Sequence, residues 1–313
     1  MTKKIIMGVD TSNYTTSVAL MYEDGALIAN LKRPLPVKLG EHGLRQSDAV
    51  FAHIKNIPDI MAEARAFIGD NAPIAVGVST RPRNIEGSYM PCFLTGVAVA
   101  ESVSASLGVP LYKFSHQCGH MMAAIFSSGA RHLLGKTFAA FHVSGGTTEI
   151  LRVSFSGSEF SAELIGGTQD LNAGQVIDRI GAYLGLPFPS GKYLEELAKT
   201  NTKKLPTKKP KISDFKINLS GLENMAVKLY EETEDKALVA AFVLDYVEKG
   251  ISLLAEAYLE KYGDTEFLFA GGVMSNLIIR EKLASKFKAH FAEPVFSSDN
   301  AVGIAELTRI NHV

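Results

Sequence analysis

Short apolar blocks separated by polar or glycine-bearing turns run along this chain, and changes in their period predict its elements. Residues 4–9 form an apolar run, residues 17–22 a second and residues 26–29 a third. Between them lie Asp10-Thr11-Ser12-Asn13-Tyr14-Thr15-Thr16 and Glu23-Asp24-Gly25, so the pattern predicts strand, polar turn, strand, turn, strand. Residues 44–48 open a helix whose apolar positions Ala49, Phe51, Ile54 and Ile57 lead toward Met61. A buried strand follows at 74–79, a packed helix at Phe93–Leu107 and a strand at 109–114. In the second half, residues 138–143, the turn Ser144-Gly145-Gly146-Thr147-Thr148-Glu149 and residues 150–153 repeat the opening strand–turn–strand arrangement. That repetition predicts an internal duplication with a nucleotide bound between the halves.

Further elements follow in alternation. A turn is predicted at 166–170, a helix at 172–184 and a breaker at Gly185-Leu186-Pro187-Phe188-Pro189-Ser190-Gly191. The helix at 236–262 carries an apolar stripe at Leu238, Ala241, Leu244, Val247, Ile251 and Leu254. Phe267–Ala270 reads as a strand meeting Gly271-Gly272, with a helix from Leu277 and a last small-residue helix at 301–308. Strands alternating with helices place the chain in the α/β class. We expect an N-terminal lobe of residues 1–112, joined by the returning segment 298–313, and a C-terminal lobe of 113–297.

Composition narrows the class without choosing a function. With 313 residues and 46% hydrophobic content the chain can bury a large core, and a net charge of −1 gives no global basic field for nucleic acid. Any RNA contact must come from a local patch such as the Lys-rich segment 201–211, for which a solvated loop is the plainer reading. Cys92 and Cys118 are too few for a disulfide framework, the N-terminus turns polar too soon for a signal peptide, and no run is long enough to span a bilayer. A cytoplasmic protein is expected.

The chemistry concentrates in a few motifs. His116-Gln117-Cys118-Gly119-His120 puts two imidazoles on one helical face, and Asp299, far along the chain, is the candidate third ligand of a shared ion. His53 reads as an edge or core histidine rather than a ligand. In the first turn Asp10, beside Thr11 and Ser12, suits metal-bound water next to a phosphate. Paired glycines at 145–146 let a backbone approach a phosphate, the Asp178-Arg179 pair suits a ribose or phosphate, and Gly271-Gly272 opening a helix suits adenine or ribose. A zinc peptidase is disfavoured, because this His-x-x-x-His lacks the glutamate base between its imidazoles.

In order and spacing these motifs resemble the tRNA threonylcarbamoyladenosine synthase family, formerly called O-sialoglycoprotein endopeptidases, within the actin/hexokinase/Hsp70-like ATPases. The resemblance rests on Asp10-Thr11-Ser12, His116-x-x-x-His120, Val143-Ser144-Gly145-Gly146-Thr147, Ala173-Gly174-x-x-x-Asp178-Arg179, Leu219-Ser220-Gly221-Leu222, Gly271-Gly272-Val273-x-x-Asn276 and Ser298-Asp299-Asn300. It implies a two-lobe fold with duplicated mixed-sheet lobes and a nucleotide cleft. It implies one divalent metal, iron or zinc, on His116, His120 and Asp299, with ATP or threonylcarbamoyl-adenylate as ligand and magnesium as a further ion. Contacts to that ligand are implied at His142, Val143, Ser144, Gly145, Gly146, Thr147, Asp178, Gly191, Gly272 and Asn276, and catalytic roles at Asp10 and Ser12. The implied activity is metal-dependent transfer of threonylcarbamoyl to the N6 amine of the adenosine beside the tRNA anticodon. Implied partners are tRNA and a homologous protein of the threonylcarbamoylation complex, with no membrane and a monomeric or dimeric state.

Three departures point toward a divergent paralogue. Tyr14 and Thr15 stand where the family carries an acidic pair, Arg81-Pro82-Arg83 replaces a Gly-Pro-Gly loop, and Gln46-Ser47-Asp48-Ala49-Val50-Phe51 replaces Pro-Glu-Leu-Ala-Ser-Arg. The alternative expectation is therefore a nucleotide- and metal-binding paralogue without that activity, acting through a partner or carbamoylating a small molecule.

Overall fold

The computed structural model describes residues 3–12, 14–36, 44–157, 159–297 and 299–312. Its chain divides into two compact units: Met1–Arg131 with Phe155–Ser161 and Val295–Val313, and His132–Ser154 with Ala162–Pro294. The division after Arg131 falls later than the boundary expected after residue 112. The segment returning to the first unit starts at Val295 rather than 298. The first shift follows from the last helix packing against the helix that bears His116 and His120, the second from Phe296 meeting the Phe126 ring edge-on and Lys32 donating to the Val295 carbonyl at 3.0 Å.

The first unit contains β1 (Ile5–Ser12), β2 (Thr15–Tyr22), β3 (Leu27–Pro34), α1 (Gln46–Ile68), β4 (Pro73–Arg81), α2 (Phe93–Leu107), β5 (Leu111–Ser115) and α3 (His116–Ser127). The second contains β6 (Phe138–Val143), β7 (Thr148–Phe155), β8 (Phe160–Thr168), α4 (Ala173–Tyr183), α5 (Gly191–Lys199), β9 (Ile212–Ser213), β10 (Lys216–Ile217), α6 (Ser220–Thr233), α7 (Lys236–Tyr262), β11 (Phe267–Ala270), α8 (Leu277–Ala284) and β12 (Ala289–Phe291), with the tip of the β7–β8 hairpin counted in the first unit. The short α9 (Pro294–Ser297) leads to α10 (Val302–His312).

Strand order confirms the duplication. The first sheet runs β3-β2-β1-β4-β5, and the second contains the matching run β8-β7-β6-β11-β12, extended beyond β8 by β10 and β9. In each, a leading antiparallel hairpin (β1–β2, β6–β7) is followed across the sheet by a parallel pair (β1–β4, β6–β11). This is the duplicated mixed-sheet architecture expected of the actin/hexokinase/Hsp70-like class.

Two polar stretches read as turns are strand instead. β1 continues through Asp10 to Ser12 and β2 begins at Thr15, so Ser12 pairs with Thr15. Gly166–Thr168 likewise ends β8. The buried hydroxyls explain the first case. Thr11 donates to the Cys92 carbonyl at 3.0 Å and Ser17 to the Asp10 carbonyl at 3.1 Å, so these side chains satisfy themselves inside the sheet. They look polar in sequence, yet they pack as β-branched or small core residues.

α10 is the element that places Asp299. Ala301, Val302, Ile304, Ala305 and Leu307 are buried, and it packs against α3, β1, β4 and β2. Buried Glu306 on the same helix accepts from Arg131 Nε at 3.0 Å and from Arg309 Nε at 2.7 Å. Gly303 sits so close to α3 that a Cβ there would lie 1.8 Å from the Gly119 carbonyl oxygen and 2.7 Å from Ala123 N. These are backbone atoms, so neither helix can yield by rotating a side chain. Among the described residues no helix is long and apolar enough to cross a membrane.

Gly303→Ala is expected to destabilise the chain by about 1–3 kcal/mol or more through overpacking, read as a fall in urea midpoint. Gly221→Ala, in a helical position with nothing within 4 Å, should instead be neutral or stabilising by about 0.4–1 kcal/mol. Equal effects of the two would show that the α3–α10 approach is not tight.

Candidate functional site

In the first unit, β5 ends at Ser115, whose hydroxyl caps α3 by accepting from Cys118 N at 3.2 Å. The cap starts the helix at His116, which puts His116 and His120 one turn apart with ring centroids separated by 4.3 Å. Asp299 lies just before α10. Its neighbour Asn300 accepts from Val302 N at 3.1 Å and donates to the Phe296 carbonyl at 3.0 Å, which fixes the approach to the helix. Asp299 Oδ1 stands 3.5 Å from His116 Nε2 and 3.3 Å from His120 Nε2. Four-coordinate ions with ligand bonds near 2.0–2.1 Å separate neighbouring donors by about 3.3 Å. The trio therefore fits a shared ion with little rearrangement.

Asp10 is placed differently from the expectation. It is fully buried in β1 and turned onto His116, with Oδ1 3.2 Å from Nδ1. Ser12 Oγ donates to Asp10 Oδ2 at 2.8 Å, and Ser79 Oγ, from the parallel neighbour β4, donates to Oδ1. This is the arrangement of a carboxylate that orients a metal-bound imidazole. With Nδ1–H donated to Asp10, Nε2 is the nitrogen turned toward Asp299 and is open to an ion once its own proton is displaced. Ser12, read as catalytic, holds Asp10 in place. Ser298 of the late motif and Asn13 of the first turn lie outside the described residues.

The electrostatics follow the same contacts. Burial works against charge on Asp10, but His116 and the Ser79 hydroxyl hold its carboxyl below the usual range. Asp299 is likewise opposed by burial and held well below that range by the two imidazoles. For His116 burial favours the neutral ring, yet Asp10 and Asp299 together raise it to about 10. An ion entering here displaces that proton. His53 is a core histidine, as read from the sequence: it is buried, with Nδ1 2.8 Å from Thr16 Oγ1, and burial lowers its pKa. Arg81, from the Arg81-Pro82-Arg83 loop, is paired with Glu159 at 2.9 Å.

The second unit holds a cavity of about 710 Å³. Gly145, Asp178, Gly191, Gly272 and Asn276 line it, so the fold brings together residues spread over more than a hundred positions. His142, Val143, Ser144, Gly146 and Thr147 are not in its lining. The Ser144 hydroxyl accepts from Gly146 N at 3.2 Å and Thr147 N at 3.1 Å, so those amides brace the hairpin turn. Position 174 itself has room only for glycine. A Cβ on Gly174 would meet Gly145 Cα and N at 2.7 Å, so the start of α4 touches the loop backbone directly. Asp178 Oδ1 accepts from Ser190 N at 2.8 Å, and Asn276 Oδ1 accepts from Ile279 N at 3.1 Å to cap α8. Arg179 points to Glu223 at 3.2 Å on the exposed surface.

Several lining residues were not legible as site residues. Lys192 and Lys199 add cations, and Phe188 adds an aromatic ring that is 80% exposed. The one signal was positional: Phe188 lies inside the predicted breaker, and the lysines open and close the short helix after it. Ser79 carried no signal, because its role depends on β4 lying beside β1.

The chain matches the family described as tRNA N6-adenosine threonylcarbamoyltransferase over residues 47–306. The protein of that name from Carboxydothermus hydrogenoformans is 29% identical over 316 residues, covering 96% of this chain and 90% of its own. The Streptococcus suis protein of the same name is 28% identical over 301 residues, covering 91% and 85%. Among solved structures, full-length HypF in its phosphate- and nucleotide-bound form aligns with a TM-score of 0.60 at 14% identity, covering all of this chain and 56% of HypF. Component A of the Acidaminococcus fermentans (R)-2-hydroxyglutaryl-CoA dehydratase aligns at 0.54 and 14%, covering 98% of both chains. A ROK family glucokinase from Streptomyces griseus aligns at 0.51 and 12%, covering 97% and 99%. At those identities the structures bear on fold alone, and the fold they share is the two-lobe hexokinase-like one.

Asp10→Asn keeps the shape but removes the charge that fixes the His116 ring. It is expected to weaken divalent-metal affinity roughly 10–100-fold, measured by competition with a chromophoric chelator. Unchanged affinity would assign Asp10 another role.

Proposed function

Since the chain belongs to the tRNA N6-adenosine threonylcarbamoyltransferase family, we propose that it transfers threonylcarbamoyl from threonylcarbamoyl-adenylate to the N6 amine of the adenosine beside the tRNA anticodon. The observation that carries this reading is the convergence of His116, His120 and Asp299, with the Asp299 carboxylate 3.3–3.5 Å from both imidazoles although it comes from a segment nearly two hundred residues later in the chain. In the reaction the N6 nitrogen bonds to the carbamoyl carbon, the bond from that carbon to the phosphate oxygen breaks, AMP departs, and N6 loses a proton. A divalent iron or zinc ion on the three side chains would supply Lewis acidity toward the carbonyl or phosphate.

The chain's own residues bind and orient. Asp10, held by Ser12 and Ser79, keeps His116 in the tautomer whose Nε2 is free. In the second unit Asp178 fastens the backbone at Ser190 and so shapes the Gly191 side of the cavity. Lys192 and Lys199 suit the adenylate phosphate, and the Phe188 ring suits stacking on a base. Magnesium, if used, would accompany ATP. Substrate tRNA and a homologous partner protein complete the proposal, in the cytoplasm, with the chain acting as monomer or dimer.

A second reading, a nucleotide- and metal-binding paralogue that acts through a partner or carbamoylates a small molecule, is favoured by one observation. Thr15 is buried in β2 and Tyr14 is half-exposed, so neither position offers the turn a carboxylate.

Mass spectrometry of tRNA nucleosides, after incubation with threonine, bicarbonate, ATP, the adenylate-forming enzyme and partner proteins, decides between them. Modified adenosine is expected with the natural chain and its loss with His120→Ala. No product despite adenylate binding, restored by acidic residues at Tyr14 and Thr15, would establish the paralogue. Asp178→Ala, which removes a hydrogen bond worth about 1.5 kcal/mol, should raise the KM for the adenylate about tenfold. An unchanged KM would show that the Ser190 tether does not shape the ligand site.

A further inference from the structure

A second set of metal donors lies in the other unit. Glu266 Oε2 stands 2.8 Å from His132 Nε2 and 2.8 Å from His290 Nε2, and Glu266 Oε1 accepts from Lys136 Nζ at 2.9 Å. The imidazole centroids are 5.1 Å apart, and one ligand atom from each of the three residues lies within 4.8 Å of the others.

Sheet structure presents these donors. His132 sits in the 3-10 turn Arg131–Gly135 just before β6, Glu266 directly precedes β11, and His290 is the middle residue of edge strand β12. The Glu266 carbonyl accepts from Ala139 N at 3.2 Å and Phe267 N donates to Lys288 O at 2.8 Å, so the backbone around the carboxylate is tied to both neighbouring strands. His290 is held in register opposite Leu268. Donors carried on paired strands keep their geometry better than donors on loops.

We propose that His132, His290 and Glu266 form a second divalent-metal site that takes ions of the zinc class. Two imidazole nitrogens and one carboxylate oxygen are a zinc donor set with coordination positions left for water, and the half-exposed His132 ring leaves solvent access to them. Lys136 occupies the other carboxylate oxygen and leaves Oε2 as a single ligand. Magnesium and calcium, which prefer all-oxygen shells, are poorly served. The bound ion cross-links the 3-10 turn to β11 and β12, so it stabilises this edge of the second sheet by mass action. The site stands whether or not the chain is a transferase.

The test is a titration of the full chain with Zn²⁺ against a chromophoric chelator, in the natural sequence and in His120→Ala, His132→Ala and His290→Ala. Two classes of site are expected in the natural sequence. His120→Ala should weaken one class. His132→Ala and His290→Ala should weaken the other by at least the roughly 10–100-fold that loss of a supporting contact costs. In the His120→Ala background, Zn²⁺ but not Mg²⁺ should raise the Tm, and adding His290→Ala should abolish the rise. Titrations of His132→Ala and His290→Ala that match the natural chain would overturn the site, as would a zinc-dependent Tm rise that survives the double substitution. If His290→Ala folds poorly, His132→Ala on the half-exposed ring carries the test alone.

Discussion

The approach of α10 to α3, backbone against backbone at Gly303 and Gly119, is the constraint on which the first unit depends. Because a single Cβ at Gly303 would lie 1.8 Å from a carbonyl oxygen, the two helices have one workable spacing. That spacing brings Asp299 to two imidazoles nearly two hundred residues earlier in the chain. The ion pair of buried Glu306 with Arg131 ties down the same helix one turn further along. Ligand geometry is thus set by helix packing and by the Asn300 cap, and the ligands themselves do not have to carry the fold.

Around that trio the polar groups form a graded shell. Ser12 and Ser79 fix Asp10, Asp10 fixes the His116 ring, and the ring faces Asp299. Burial alone would neutralise these groups, but mutual pairing keeps both carboxyls ionised and raises His116 to about 10. Such a site is demanding: removing one partner leaves a charge in a dry environment. The second unit works differently. Its cavity is shaped by caps and tethers (Ser144 in the hairpin turn, Asp178 on Ser190, Asn276 at α8), and its lysines sit at the two ends of α5 with the aromatic ring in the loop before it.

The two sheets share one strand order and pairing sense, yet they are dressed with unlike chemistry. In the first, the polar ends of β1 and β4 and the helix after β5 supply a carboxylate, a hydroxyl and imidazoles. In the second, the turn after β6 and the Gly-Gly turn after β11 supply glycine backbone to a cavity wall. A duplicated scaffold has therefore been specialised strand by strand, with the framework kept because sheet register tolerates little change.

The sequence by itself determined the elements with strong periods and the duplication, and it picked out His116, His120 and Asp299 as candidate donors. Helices such as Phe93–Leu107 and 236–262, the strand Phe267–Ala270 and the histidine pair were legible because local spacing dictates them. The strand ends at Asp10–Ser12 and Gly166–Thr168 were not, since hydroxyls and glycines look the same in a turn and in a buried strand until their hydrogen bonds are known. Only the tertiary structure decided that Asp10 serves His116, that Ser79 supports it, that Ser144 and Asn276 are committed to bracing the backbone, and that His132, Glu266 and His290 meet. Each of these pairings joins residues through sheet order, helix packing or cap geometry, which no single stretch of sequence encodes.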